Sequence, residues 1–248
     1  MTDITQIPMQ EFCCTDGISD PARLNALKQS TPARIGIGHA GARCTTAAML
    51  RFRADQAKAN DAVFSEVSED TIRALGVFSV QTRCRDKYEM LTRPDYGRIL
   101  PPDQQEIIRA NCTPNPQVQI YFGDGLCSPS IGANLPDLYP ALRAELEASG
   151  ITVGTPFFVR YCRVNTARTV GPLVGAEVTC VLIGERPGLI TSESMSAYIA
   201  YHACPEMSES DYTVVSNISR VGIPPVEAAA YIAELIQTIL RDKKSGCR

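Results

Sequence analysis

The stretch AEVTCVLIGERPG, residues 176–188, decides the fold because it joins a buried strand directly to a charged turn. Residues 176–184 form a nearly continuous apolar run, which is typical of a central strand in a parallel sheet. Glu185 and Arg186 follow it without a polar lead-in, and a Pro-Gly turn comes next. A solvent-exposed turn would more often use Asn, Asp, Gly or Ser. The charged pair is therefore placed to meet a ligand or a partner, with a local ion pair or a helix-capping turn as the alternative.

Strand-like and helix-like segments alternate on both sides of this stretch. The predicted strands are 76–83, 118–122, 155–164, 176–184 and 213–219; the predicted helices among them are 136–149, 165–174, 192–201 and a last helix that starts at Pro225. Such alternation predicts an α/β fold with a doubly wound, mostly parallel, Rossmann-like sheet that helices cover on both faces.

Composition changes along the chain and predicts three parts. Residues 1–30 are polar without a clear period and are expected to form a tail. Residues 31–116 are expected to be a mainly helical N-terminal segment, which closes with a stretch dotted with prolines. Residues 117–248, where the alternation becomes regular, are expected to be a compact α/β domain.

The ends of three predicted strands carry residues that suit a binding site. In open parallel sheets, ligands bind beyond the carboxyl ends of the strands. If the three strands are neighbours, their ends line one rim. The residues at these ends are Arg163 and Val164, Glu185 and Arg186, and Val215, Ser216 and Asn217.

The overall composition excludes several classes of protein. The chain has 248 residues and a net charge of −3, so no basic surface argues for nucleic acid or an anionic membrane. No apolar run approaches the roughly 20 residues of a spanning helix, and no export signal begins the chain, so a cytoplasmic location is expected. The ten cysteines contain no CxxC pair and are interpreted as reduced thiols that pack as small hydrophobic residues.

The segment GIGHAG, residues 36–41, matches the dinucleotide-binding pattern literally. That fingerprint requires a strand immediately before the glycines and an acidic residue at the end of a following strand. Only ARI precedes it, so a tight loop is favoured. A stand-alone Rossmann-type oxidoreductase that uses a nicotinamide or a flavin remains the alternative function, and it needs this site to be real.

Longer stretches resemble the small subunit, or light chain, of ethanolamine ammonia-lyase. They are GTPFFVRYCRV (154–164), LIGERPGLITSESMSAYIAY (182–201) and SNISRVGIPPVEAAA (216–230), and the similarity extends from about Thr31 to the C-terminus. The resemblance implies a carbon–nitrogen lyase that depends on adenosylcobalamin and converts ethanolamine to acetaldehyde and ammonia. It implies activity only as a hetero-oligomer, in which a large barrel subunit holds the substrate and the catalytic residues.

The resemblance also implies which residues of this chain touch the cofactor. In the family, cobalamin contacts fall at positions that are Val164, Glu185 and Val215 here, and no metal ligand is expected from this chain. The third position is often cysteine in relatives, so a role for sulfur is absent. His39 stands where many relatives have arginine. The short N-terminal tail leaves packaging in a bacterial microcompartment undecided, and a non-catalytic scaffold subunit remains a further alternative.

Overall fold

The computed structural model describes residues 4, 7–13, 15, 17–31 and 33–246. The helices are α1 (Pro21–Gln29), α2 (Thr46–Phe64), α3 (Glu69–Ala74), α4 (Lys87–Thr92), α5 (Pro102–Asn111), α6 (Pro129–Ala148), α7 (Ala167–Val174) and α8 (Pro225–Asp242). The strands are β1 (His39–Ala40), β2 (Arg43–Cys44), β3 (Phe78–Gln81), β4 (Val118–Gly123), β5 (Phe157–Arg160), β6 (Val178–Gly184), β7 (Met195–Tyr201) and β8 (Thr213–Ile218).

The chain forms two compact units, one formed by Met1–Asp61 with Gly188–Thr191 and the other by Ala62–Pro187 with Ser192–Arg248. The first unit holds α1, the antiparallel hairpin of β1 and β2, and most of α2. The second unit holds the large sheet. The predicted limits at residues 30 and 116 stay a prediction, although β3 belongs to the sheet and lies before residue 117.

The large sheet is mixed, with the strand order β3-β5-β4-β6-β7-β8. The first four strands pair in parallel, whereas β7 runs antiparallel to both β6 and β8. The α/β class is therefore confirmed. Five of the six strands of this sheet run the same way, so it is mostly parallel, but a Rossmann-like, doubly wound topology is not confirmed.

The prediction of a helix over residues 192–201 is wrong, because the segment forms no helix and its residues from Met195 onward form β7. It pairs with β6 along its whole length, from Gly184 opposite Met195 to Val178 opposite Tyr201. Ser192 looks like a helix N-cap in the sequence, but the paired β6 satisfies the backbone groups of this segment instead. The residues of β7 are mostly small or apolar, which suits a strand that is buried on both faces. In such a strand, the hydrophobic residues follow neither the period of two of a half-buried strand nor the period of 3.6 of a helix.

Helices cover both faces of the sheet. On one face, α6 and α8 pack against β4, β6, β7 and β8, and Leu135, Leu138, Leu142 and Leu146 form the fully buried stripe of α6. On the other face, α5 and α7 pack against Tyr121, Phe157 and Val181. Helix α6 begins with a proline at its first turn and stops before Gly150, whose φ of +75° ends it.

The hairpin of β1 and β2 settles the meaning of GIGHAG. Residues 39–40 pair antiparallel with residues 43–44, and α2 begins only at Thr46. The segment 33–38 that precedes the hairpin contains no strand. The strand-turn-helix unit that a dinucleotide fingerprint needs is therefore missing here, and the glycines serve a tight loop, as the sequence favoured.

The cysteines that the structure describes are all free thiols, and five of them are buried: Cys84, Cys112, Cys127, Cys162 and Cys180. Burial raises the pKa of Cys112 and of Cys127 to about 11, so both stay protonated at neutral pH. These thiols pack as small apolar groups. In the described part of the chain, no helix combines the length and the apolarity that crossing a bilayer requires.

Candidate functional site

A cavity of about 570 Å³ opens at the carboxyl edge of the large sheet. Its size is within the roughly 300–1,000 Å³ that is typical of small-molecule sites. Because β4, β5, β6 and β8 point the same way, their carboxyl ends meet at this edge, together with the beginning of β7. The lining residues are Gly125, Leu126, Cys162, Arg163, Val164, Ile183, Gly184, Glu185, Arg186, Ser196, Tyr198, Val214 and Ser216.

The floor of the cavity is a close contact between two backbone segments. The amide of Leu126 donates to the carbonyl of Gly184 at 3.0 Å and joins the end of β4 to the end of β6. Gly125 has a φ of +54°, and a Cβ placed there would overlap the carbonyl of Gly184. Glycine is required at this position because the two backbone segments approach each other too closely to leave room for a side chain.

The carboxylate of Glu185 is held by three hydrogen-bond donors. Oε2 accepts from the hydroxyl of Ser194 at 2.7 Å. Oε1 accepts from the hydroxyl of Ser196 and from the backbone amide of Asn217, the latter at 2.9 Å. Glu185 is half-buried and lines the cavity, so its carboxylate is fixed in place while part of it still faces the open space.

Sequence reasoning missed the two serines because it placed them in a helix. In extended backbone, residues two apart point to the same face, so Ser194, just before β7, and Ser196, within it, both face Glu185. Ser194 lies directly opposite Glu185, whose amide donates to the carbonyl of Ser194 at 3.0 Å. Serine at 192, 194 and 196 is an alternation of period two, and that signal could have identified the strand.

A β-bulge in β8 supplies the third donor. Met195 pairs with Ile218 and Ala197 pairs with Val215, so two residues of β8, Ser216 and Asn217, lie opposite Ser196 alone. Asn217 has a φ of +61°, a left-handed conformation that asparagine tolerates better than most residues. Its amide is turned out of the β7–β8 ladder and donates to Glu185 instead.

Replacing Asn217 with valine is expected to lower the free energy of unfolding by about 1–2 kcal/mol, because a β-branched residue resists a positive φ. Asn217→Gly keeps the same backbone freedom and is the matched control, with an expected change below about 0.5 kcal/mol. Denaturant unfolding of both variants measures the difference. Equal stability of the two would show that the left-handed conformation is not maintained.

Val164 lies on the opposite wall of the cavity, in a 3-10 turn rather than at the end of a strand. Strand β5 ends at Arg160, four residues earlier than the sequence predicted. Tyr161, with a φ of +56°, turns the chain away from the sheet, and its carbonyl accepts from the hydroxyl of Thr82 at 3.1 Å. This turn carries Val164 to the rim, so Val164 and Glu185 line one cavity.

Val215 occupies a different environment from the other two predicted contacts. It is only 3% exposed and packs in the core beneath α8, on the opposite face of the sheet. Its neighbours Val214 and Ser216 point into the cavity, because successive side chains of a strand alternate between faces. A contact by Val215 with a ligand is therefore limited to its backbone.

A buried ion pair supports the rim from below. The Nζ of Lys87 lies 3.2 Å from Oδ2 of Asp124 and donates to the carbonyl of Gly125 at 2.7 Å. Oδ1 of Asp124 accepts from the amide of Cys162 at 2.8 Å. The pair thus connects the turn after β4 to the segment that carries Val164. Nothing in the sequence pattern pairs these distant residues.

The cavity is also lined by the cationic side chain of Arg163. The guanidinium of Arg163 donates to the carbonyl of Met90 at 2.9 Å, but its Nε is buried and has no hydrogen-bond partner among the described residues. Burial, with Arg98 as a further cause, lowers the pKa of Arg163 from its ordinary value. Arg163 lines the cavity, so it places a cationic side chain at the site.

Comparisons of the sequence with known proteins point to one family. A sequence model of the family described as the ethanolamine ammonia-lyase light chain matches residues 21–248. The chain is 49% identical to the ethanolamine ammonia-lyase small subunit of Clostridium perfringens and 47% identical to that of Listeria monocytogenes. It is 48% identical to that of Fusobacterium nucleatum. Each alignment covers 98% of this chain and 83% of the relative.

Proposed function

The chain belongs to the ethanolamine ammonia-lyase light-chain family, and from this premise we propose that it holds adenosylcobalamin for the radical conversion of ethanolamine to acetaldehyde and ammonia. The carrying observation is that Glu185 and Val164 line one cavity at the carboxyl edge of the sheet. The large subunit of the enzyme is the proposed partner and supplies the substrate site. The proposed location is the cytoplasm, and packaging in a microcompartment rests on the resemblance alone.

The residues of the cavity fit the cofactor. The edge of a corrin ring carries many amide groups, which offer N–H donors and carbonyl acceptors. Glu185 can accept from an amide N–H, and the guanidinium of Arg163, which lines the cavity, can donate to a carbonyl or a phosphate oxygen. The glycine floor at Gly125 and Gly184 lets a ligand approach the backbone closely.

We assign each residue a role in binding. Glu185 orients the cofactor through a charge-assisted hydrogen bond, and Val164 contributes apolar contact and backbone groups. Val215 contributes only through its backbone, since its side chain is in the core. When bound, the cofactor supplies the radical chemistry, while these residues position it and limit the access of water.

The rival function, a stand-alone oxidoreductase, loses its main support. It needs a dinucleotide site at residues 36–41, and these residues lead into an antiparallel hairpin. A scaffold subunit without a cofactor differs from our proposal only in whether the complex retains a corrinoid. Purifying the chain co-expressed with the large subunit tests both alternatives. Cobalamin retained by the complex supports our proposal, nicotinamide binding by the lone chain supports the first rival, and a complex without corrinoid supports the second.

Replacing Glu185 with alanine is expected to weaken the binding of cobalamin to the two-subunit complex about tenfold to a hundredfold, because a hydrogen bond to a charged group is lost. Assembly with the large subunit should not change, since Glu185 makes its side-chain contacts inside its own chain. Absorbance titration of the purified complex measures the affinity.

Glu177→Ala is the matched control for this titration, because Glu177 lies just before the other end of the same strand. We expect its affinity to stay within about twofold of the unmodified complex, as for most surface substitutions. If Glu185→Ala also binds within twofold, Glu185 is not part of the cofactor site.

A further inference from the structure

The carboxylate of Glu185 is nearly saturated by its own chain. A carboxylate offers about four acceptor positions. Three of them are taken by the hydroxyls of Ser194 and Ser196 and by the amide of Asn217. About one position is left, and the side chain lines the cavity, so the carboxylate can accept one more donor from a ligand.

The two serines fix this geometry more strongly than packing alone could. Ser194 and Ser196 are 5% and 1% exposed, so neither hydroxyl has water as an alternative partner. Ser196 belongs to β7, which is paired along its length with β6, and Ser194 lies just before β7, where its carbonyl accepts from the amide of Glu185. A glutamate without them would sample several rotamers, and a ligand would have to restrict it on binding.

We propose that Ser194 and Ser196 are positioning residues that hold Glu185 so that its free acceptor position faces the cavity and selects an N–H donor of the ligand, such as a primary carboxamide. This inference rests on the proposed function and deepens it. The serines act through Glu185 and need not touch the ligand. A group with only acceptor atoms, such as a carboxylate, is refused because it meets a negative charge without a donor.

The test is a variant cycle on the purified two-subunit complex, with cobalamin affinity from absorbance titration as the readout. The paired substitution Ser194→Ala with Ser196→Ala is expected to weaken binding about tenfold, because Glu185 is released. In a Glu185→Ala background the same pair is expected to change the affinity by less than about twofold, because the residue through which they act is gone.

The matched control is Ser192→Ala, the next serine of the alternation, which does not line the cavity. It is expected to bind cobalamin within about twofold of the unmodified complex. Ser194→Thr keeps a hydroxyl and is expected to restore affinity relative to Ser194→Ala. Size-exclusion chromatography of every variant confirms that the complex assembles.

A second experiment measures how well the complex discriminates between an amide and a carboxylate on the ligand. A cobalamin derivative with one side-chain amide hydrolysed to a carboxylate is compared with cobalamin itself, for each amide position in turn. We expect one derivative that the unmodified complex binds at least about tenfold more weakly. In the variant with both serines replaced, the difference in affinity between cobalamin and that derivative should be smaller.

The outcomes separate this inference from the function beneath it. An unmodified complex that binds no cobalamin overturns the proposed function. Binding by the unmodified complex together with an unchanged serine variant overturns only the positioning role. An equal loss in the presence and absence of Glu185 also overturns it, because the serines would then act independently of that carboxylate.

Discussion

Replacing Lys87 with methionine is expected to lower the free energy of unfolding of the chain by about 3–5 kcal/mol. Both Lys87 and Asp124 have side chains only 4% exposed, and their charged atoms are 3.2 Å apart. Methionine has a similar length and fills the same space, so packing changes little. The loss comes from the carboxylate of Asp124, which remains buried without its cation.

Adding Asp124→Asn to the Lys87→Met variant should recover part of the stability. Asparagine is neutral, and its carbonyl oxygen can still accept from the amide of Cys162, which now uses the carboxylate. Arg109→Met is the surface control, because the Arg109–Glu106 pair is exposed and should contribute less than about 0.5 kcal/mol. Denaturant unfolding gives all three values. A loss below about 1 kcal/mol for Lys87→Met would contradict the buried-charge explanation.

The second large effect is expected for Gly184→Ala, which should lower the free energy of unfolding by about 3 kcal/mol. The added Cβ would overlap the carbonyl of Cys127 and lie 2.5 Å from the carbonyl of Asp124. Both neighbours are backbone atoms, so neither can move aside as the end of a flexible side chain would. The loops after β4 and β6 would have to separate.

Gly132→Ala is the matched control for this substitution. Gly132 is exposed within α6, where an added Cβ would meet only the methyl group of Thr71 at 3.9 Å. Alanine in a helix is favoured over glycine, so this variant is expected to gain about 0.5–1 kcal/mol. Thermal or denaturant unfolding of the two variants decides the point. A Gly184→Ala chain as stable as Gly132→Ala would mean that the two backbones are not in close contact.

The sequence predicted most of the elements that form the rim. Long apolar runs predicted β4 and β6, and the helices predicted over 136–149 and from Pro225 are α6 and α8, although α6 already begins at Pro129. The carboxyl-edge rule then brought Val164 and Glu185 to one place, which the cavity bears out. These features were accessible because each depends on residues that are close together along the chain.

Three features of the site could not be read from the sequence. The antiparallel direction of β7 depends on its pairing with β6, which its own residues do not specify, even though the alternating serines indicate a strand. The face of Val215 follows from the strand's alternation and its register with β7, and local sequence does not show that register. The ion pair of Lys87 and Asp124 joins segments 37 residues apart. Each feature is set by tertiary pairing rather than by local preference.

Because of the strand order, the two walls of the cavity lose different amounts of chain entropy when they form. The wall with Glu185 comes from β6, β7 and β8, whose connections are residues 185–194 and 202–212. The wall with Val164 follows β5, which reaches its neighbours β4 and β3 across the longer connections 124–156 and 82–156. The entropy lost on closing a loop grows with the logarithm of its length. The glutamate wall therefore loses less chain entropy when it forms.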